Sequence, residues 1–347
     1  MHNFSRTFVQ KESQMKKIQL LALLALALSA ASCGKGGYKV IQGYAQGGTY
    51  SVKINTDGAA EDIETISRKV DSLLVVIDNT LSGYNKSSVL SRLNAGDSLE
   101  PGPMFRDIYA RSYAVWQETG GAVDVAAGPL FDAWGFGFTN DSLPSAQTVD
   151  SLLKTCGMGR LSADLDSALA LKPVLNFNAI AQGYSCDVIA DYLHSIGIRD
   201  MLVDIGEIYC EGLNPSGKPW TIGVDRPVDG NETPGADLDG VWQSDGGAHG
   251  VVTSGNYRKF YIRDGKKYSH TIDPRNGWPV THNLLSATII APDATSADAY
   301  ATYCMVIGLD EAMKFISEMD ELEGYLIYDD GGVMKEWASP GFNLVKK

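Results

Sequence analysis

Basic side chains are the first thing this chain is short of. It has 29 Lys and Arg against 42 Asp and Glu. Residues 1–32 hold Arg6, Lys11, Lys16 and Lys17 but only Glu12, so the remainder carries 25 basic and 41 acidic groups, a balance of −16. A nucleic-acid binder needs a basic face that displaces counterions, and this composition argues against one. Any polyphosphate ligand must then be met locally, by a metal ion or by backbone N–H groups. Histidine is scarce too: the five present are scattered and give zinc no ligand cluster. Apart from Cys33, the cysteines are Cys156, Cys186, Cys210 and Cys304, far apart and without a C-x-x-C pair. That spacing argues against a disulfide framework, and they read as small buried hydrophobes. Also missing are G-x-G-x-x-G after a strand, G-x-x-x-x-G-K-[ST] and H-E-x-x-H, which disfavours Rossmann, P-loop and zinc-protease chemistry.

The longest apolar run is residues 20–28, nearly all Leu and Ala, and it is shorter than the about 20 residues a membrane span needs. Met15-Lys16-Lys17 precedes it and Ala30-Ala31-Ser32-Cys33 follows it. A basic start, a short apolar stretch and small residues form the plan of a secretory signal. The small residues ending in Cys33 resemble the bacterial lipobox, although Ala30 stands where Leu is commonest. Residues 1–32 are therefore expected to be a lipoprotein signal peptide, 1–14 of it an upstream extension. Cys33 is expected to be lipidated, 33–40 to be a tether, and 41–347 to be the functional domain.

From about residue 40 no Pro-rich linker, repeat or charge block divides the chain. Residues 49–55 alternate as a strand. Ile63, Ile66, Val70, Leu73, Leu74 and Ile77 recur at helical spacing, and residues 104–119 and 180–196 do likewise. Strands are predicted at 201–205, 221–224, 251–254, 259–263, 285–291 and 324–328, and helices at 295–307 and 311–319. Residues 227–247, rich in Gly and Asp, read as an exposed loop. Strands and helices mix without a βαβ rhythm, so the class is α+β.

Five polar and Gly-rich islands stand out at element boundaries, where sites usually lie. They are residues 81–94 around Ser82-Gly83-Tyr84-Asn85; 122–137 with Gly128-Pro129 and Trp134-Gly135-Phe136; and 175–187 from Asn176 through Gln182-Gly183 to Asp187. The fourth joins Ser254-Gly255-Asn256-Tyr257 to His270-Thr271-Ile272-Asp273-Pro274-Arg275-Asn276-Gly277-Trp278. The fifth is Ala297-Asp298-Ala299-Tyr300-Ala301-Thr302. In this order they resemble the ApbE flavin transferases, from about Gln46 to Tyr328. The resemblance implies two interlocked lobes around a flavin cleft, an ApbE or T-fold-like arrangement. It further implies transfer of FMN from FAD to a Ser or Thr hydroxyl of another protein, with release of AMP.

It also implies roles. Tyr84 matches the family's ring-stacking tyrosine. Trp134, Gly135 and Phe136 match a segment lining flavin or adenine, although Trp134 could equally be core. Asn176 and Gln182 match positions that touch FAD, where relatives commonly carry Asp and Lys or Glu. Gln46, beside Gly47, and Ile272 complete the cofactor-binding set. Mg²⁺ is the family's answer to the phosphates, since it takes carboxylate, hydroxyl and carbonyl oxygen. Asp298 and Thr302, four apart on one helix face, would hold it with backbone carbonyls of Ala179 and Ala301. The bland reading of Asp298 is an acid favouring a helix's positive end. His270 and Asp273 are the candidates for proton handling, while Asp273-Pro274-Arg275-Asn276-Gly277 is also a good turn that Asp273 could merely cap. Ile205-Gly206-Glu207 has one Gly where relatives carry two.

The expected partners are FAD and an acceptor protein with a Ser/Thr flavinylation motif, a subunit of a membrane redox complex. No nucleic acid is expected. A lipid anchor would hold the chain on the periplasmic side of a bacterial cytoplasmic membrane. An FAD pyrophosphatase that uses water as acceptor shares the same pocket and metal. A periplasmic lipoprotein that binds FAD without chemistry is the alternative of another class.

Overall fold

The computed structural model describes residues 37–346 except 138–142, 229, 232, 258–259 and 264–265. The signal segment and Cys33 lie outside the described residues. Among the described residues no helix is long and apolar enough to cross a membrane.

The chain begins with a hairpin, β1 (Tyr38–Ala45) and β2 (Gly48–Asn55), followed by helices α1 (Ile63–Leu81), α2 (Val89–Asn94), α3 (Gly102–Glu118), α4 (Gly128–Ala133), α5 (Ala146–Thr155), α6 (Leu165–Leu169) and α7 (Ala181–Ser195). Strands β3 (Met201–Asp204), β4 (Ile208–Glu211), β5 (Thr221–Asp225), β6 (Leu238–Gln243) and β7 (His249–Gly255) come next. After them lie the short β8 (Phe260–Arg263), β9 (Lys266–Ser269), β10 (Ile272–Asp273) and β11 (Trp278–Pro279). The last part holds β12 (Leu284–Ala291), α8 (Ala294–Ile307), α9 (Leu309–Glu318), β13 (Glu323–Asp330), β14 (Val333–Ala338) and β15 (Leu344–Lys346).

The architecture is α+β, as expected. Eight strands form one antiparallel sheet in the order β1-β2-β3-β4-β7-β12-β13-β14, and β15-β6-β5 form a second. Alternation along the strands decides the layers. In β3, Met201 and Val203 join the core under α1 and α7, while Leu202 points to the other face. In β12, Ala287, Ile289 and Ala291 pack toward α8 and α9, and Ile290 packs toward Trp220, Ile222 and Trp242 of the small sheet. The large sheet is thus covered by helices on one face and by three strands on the other. Residues 38–347 form one compact unit and do not divide into the two expected lobes.

Local signals explain the helices nearest the cleft. Asp62 accepts a hydrogen bond from the Thr65 N–H at 2.7 Å, which satisfies one orphan donor at the start of α1. The helix buries Ile66, Val70, Leu74, Ile77 and Leu81, the three-to-four spacing of a single stripe. Helix α7 begins at Ala181 with no side-chain cap from its own N-terminal residue. Two boundaries differ from expectation. Strand β1 begins at Tyr38, inside the segment read as tether, because Tyr38–Ala45 pairs along its whole length with Gly48–Asn55. Strand β6 lies inside the segment read as a loop, since its Gly and Asp residues hid the buried Gly240 and Trp242.

Candidate active site

The first turns of α7 and α8 lie side by side and cap each other. The Gly183 N–H on α7 donates to Asp298 Oδ2 on α8 at 3.0 Å. In return Asp187, on the next turn of α7, accepts from the Ala294 N–H at 2.9 Å and the Thr295 N–H at 2.8 Å, and from the Thr295 hydroxyl. Position 183 meets 298 and 187 meets 294, so the two helices run in opposite directions at this junction. Their approach depends on Gly183, where a Cβ would come within 2.1 Å of the Ala294 carbonyl oxygen. Each helix end thereby receives a negative charge from its neighbour, the sign that the N-terminal dipole favours.

Both carboxylates are taken from water. Burial pushes Asp298 up to about 7; the Gly183 N–H pulls the other way, and the negative Asp187 adds to the rise. Burial likewise pushes Asp187 up to about 6, against its bonds from Thr295 and Ala294. The donors around them suit Mg²⁺. Asp298 offers a carboxylate, half-buried Thr302 follows one turn later on α8, and Ala179 lies two residues before α7. Because the Gly183 N–H goes to Asp298, it does not take up the Ala179 carbonyl. Ala301 is fully buried in the α8 core. Among the described residues no three His, Cys, Asp or Glu side chains gather as a metal group. An all-oxygen set drawn from one carboxylate, a hydroxyl and carbonyls does not require such a trio.

One cleft opens at the first turn of α7 and a second near the end of α8. The larger, of about 760 Å³, is lined by Gln46, Tyr84 and Gln182, so three of the expected cofactor-binding residues share one cavity. Its floor is apolar, from Tyr50, Leu74, Ile77 and Leu81. Gln46 and Gly47 form the two-residue turn between β1 and β2, both with positive φ (51° and 83°). Gln46 is held there by a 2.6 Å bond from its Nε2 to the Ser185 hydroxyl. Gln182 reaches across to the β3–β4 turn, donating to the Ile205 carbonyl at 3.2 Å. The single Gly206 of that turn has φ +97°, and a Cβ there would fall 2.6 Å from Gln182 Nε2.

The second cleft, of about 580 Å³, is lined by Tyr268, Asp273, Trp278, His282 and Val306 among others. Val306 is one turn beyond Thr302, so the face of α8 through 298, 302 and 306 leads from the helix junction to this cleft.

Not every expected residue faces a cavity. Trp134 and Ile272 are buried together with Leu130 and Val149. The Trp134 indole N–H donates to the Gly277 carbonyl at 2.8 Å and its ring packs on Tyr268 and Trp278. These two side chains therefore belong to the core under the second cleft, and any contact they make with a ligand runs through their backbone. Gly135 closes the α4 turn at φ +77° and half-buried Phe136 sets its ring edge-on to His270, centroids 6.3 Å apart. Asn176 is buried and accepts from the Asn178 N–H at 2.9 Å, shaping the entry to α7. Asp273 holds the Arg275 guanidinium through two 2.9 Å bonds and the Asn276 amide at 3.2 Å. These bonds realise the turn-capping reading of Asp273, the other proton-handling candidate, His270, being half-buried.

Sequence reasoning passed over Asp187, although it ends the third island. Its signal was an acid between the buried Cys186 and the apolar Val188-Ile189 of this helix, a position that a partner across the fold explains. Tyr44, which also lines the larger cleft, lies in a strand whose period the sequence did not reveal.

A family model described as ApbE family matches residues 46–326. An FAD:protein FMN transferase of Escherichia coli K12 is 32% identical, covering 93% of this chain and 95% of that protein. One from Vibrio cholerae is also 32% identical, covering 93% and 97%. Among solved structures, the flavin transferase ApbE from Vibrio cholerae superposes with a TM-score of 0.74 at 30% identity, covering 88% of this chain and 98% of its own. The apo flavinyl transferase ApbE of Pseudomonas stutzeri gives 0.76 at 30% identity, covering 89% and 96%. With its islands, its α+β layers and these matches in agreement over nearly the whole described chain, the protein belongs to the ApbE family.

Proposed function

We propose that this chain is an Mg²⁺-dependent FAD:protein FMN transferase. It moves FMN from FAD to a Ser or Thr hydroxyl of an acceptor protein through a phosphoester bond and releases AMP. The observation that carries the reading is the buried Asp298, with Thr302 one turn on, where α8 meets the start of α7, with one cleft at the first turn of α7 and another near the end of α8. FAD has two ring systems joined by a diphosphate, and on this reading the acid at the junction serves the diphosphate while the clefts take the rings.

In the reaction the acceptor hydroxyl oxygen bonds to the FMN phosphorus and loses its proton. The bond from that phosphorus to the AMP oxygen breaks, and AMP leaves carrying the electron pair. Phosphoryl transfer of this kind depends on positioning and charge neutralisation. Tyr84, Gln46 and Gln182 hold the ring end. Asp298 and Thr302, with the Ala179 carbonyl, would hold Mg²⁺. When bound, the ion neutralises charge on the diphosphate, which a chain with so few basic groups has little other means to do. On this reading His270, whose ring lies edge-on to Phe136, accepts the hydroxyl proton.

The acceptor is a subunit of a membrane redox complex, and the chain meets it on the periplasmic side, anchored through lipid on Cys33. Mass spectrometry of the membrane fraction tests the anchor: a diacylglycerol-modified N-terminal Cys33 supports it, and a soluble protein starting elsewhere refutes it. The activity is tested by incubation with FAD, Mg²⁺ and a candidate acceptor domain, followed by intact mass. Acceptor heavier by one FMN less water supports transfer. FMN and AMP without acceptor labelling would mean pyrophosphatase action, and unchanged FAD would mean simple binding.

A further inference from the structure

The two most exposed large apolar side chains in the described part of the fold line the same cavity. Tyr84 is 67% exposed and Tyr44 is 74% exposed. They come from different elements: Tyr84 follows the end of α1, and Tyr44 is the next-to-last residue of β1, two positions before Gln46 of the Gln46-Gly47 turn. Among the described residues Tyr44 has no hydrogen bond and no ring contact. An aromatic ring left in water at the mouth of a cavity is surface that a ligand can cover.

The surroundings say what kind of ligand. Asp71 and Asp78 line this cavity too, Asp71 bonded by the Tyr50 hydroxyl and Asp78 by the Asn85 amide at 2.7 Å. Acids on the wall repel phosphate, so the neutral end of a dinucleotide is the part that fits here. The cavity is also the larger of the two, about 760 Å³ against about 580 Å³, and isoalloxazine is the larger of the two rings in FAD.

We propose that Tyr44 is a second aromatic binding residue for the flavin ring, closing over it from the β1–β2 hairpin while Tyr84 meets it from the α1 side. The proposal rests on the reading of this chain as an FAD-using enzyme. Tyr44 then sets how tightly FAD is held and has no part in the chemistry.

The test is titration of the full chain with FAD, riboflavin and AMP, following flavin fluorescence, for the wild type, Tyr44→Ala and Tyr44→Phe, with melting curves to confirm folding. Wild type that binds no FAD refutes the enzymatic reading itself. If wild type binds, Tyr44→Ala is expected to weaken FAD and riboflavin about three- to tenfold, to lose part of the quenching, and to leave AMP unaffected. Tyr44→Phe, which keeps the ring, should restore both affinity and quenching. FAD affinity and quenching unchanged in Tyr44→Ala would overturn the proposal, and a raised KM for the acceptor alone would show that the ring faces protein. Weakening of AMP in place of riboflavin would overturn it as well, by assigning the cavity to adenine.

Discussion

At the scale of single residues, conformations and partners decide what the side chains can do. His282 has one ring nitrogen 2.9 Å from the Met305 carbonyl and accepts the Leu284 N–H at its other nitrogen at 3.3 Å. Only the neutral ring with its proton on Nε2 satisfies both, and burial lowers its pKa below the usual 6.5. The unfolded chain then binds this proton more readily than the folded one, so His282 contributes stability above about pH 6.5 that is lost as the pH falls toward its folded pKa. Urea unfolding from pH 8 to 5 should show that loss. His282→Gln, which can donate and accept without titrating, should flatten it. Gly206 makes a different kind of demand. An added Cβ at φ +97° strains the backbone, so Gly206→Ala should cost about 1–2 kcal/mol, measured by urea unfolding, and should displace Gln182 from the Ile205 carbonyl. The one glycine in this turn is thus the one the geometry uses.

At the scale of elements, the reciprocal caps between α7 and α8 are the feature that sequence could not reveal. The acid at 298 was legible as a partner of Thr302, because i and i+4 share a helix face. That it also caps another helix was not, because the pairing of 183 with 298 joins residues far apart in the chain. The same holds for Asp187, whose cap on α8 spans more than a hundred residues. Asp187→Ala should cost roughly 1 kcal/mol through loss of that cap. In the double variant with Asp298→Ala the cost should be more than the sum of the two, because each single substitution already relieves the repulsion between the acids and that relief can be gained only once. Denaturant unfolding of the four-member cycle gives the coupling, and strict additivity would mean that the two carboxylates act independently. The hairpin turn at Gln46 follows the same pattern: β2 was readable from its alternation, but β1 was not, since Gly43 and the polar Gln42 break its period.

At the scale of the whole molecule, the expectation concerns catalysis. Asp298→Ala should abolish FMN transfer, by orders of magnitude in rate, because the diphosphate loses the cation that offsets its developing charge. EDTA should mimic the substitution, and added Mg²⁺ should rescue the EDTA-treated wild type but not Asp298→Ala. Thr302→Ala should be milder, since water can replace a neutral oxygen. FMN incorporation into an acceptor domain measures this, with circular dichroism to confirm folding. Full transfer by Asp298→Ala in EDTA would sink the metal site.

The sequence by itself determined the class of the fold, the main helices of the site, the absence of a basic face and the order of the five islands. These are local properties: periodicity, charge and short polar segments are written in neighbouring residues. The tertiary structure decided which of those residues face a common space. It gathered Gln46, Tyr84 and Gln182 around one cavity and added Tyr44 to it. It sank the side chains of Trp134 and Ile272 into the core and closed the Asp273 carboxylate on its own turn. The physical reason is that burial belongs to a surface built from distant segments, so an aromatic residue reads alike in sequence whether it ends in the core or at the mouth of a cleft.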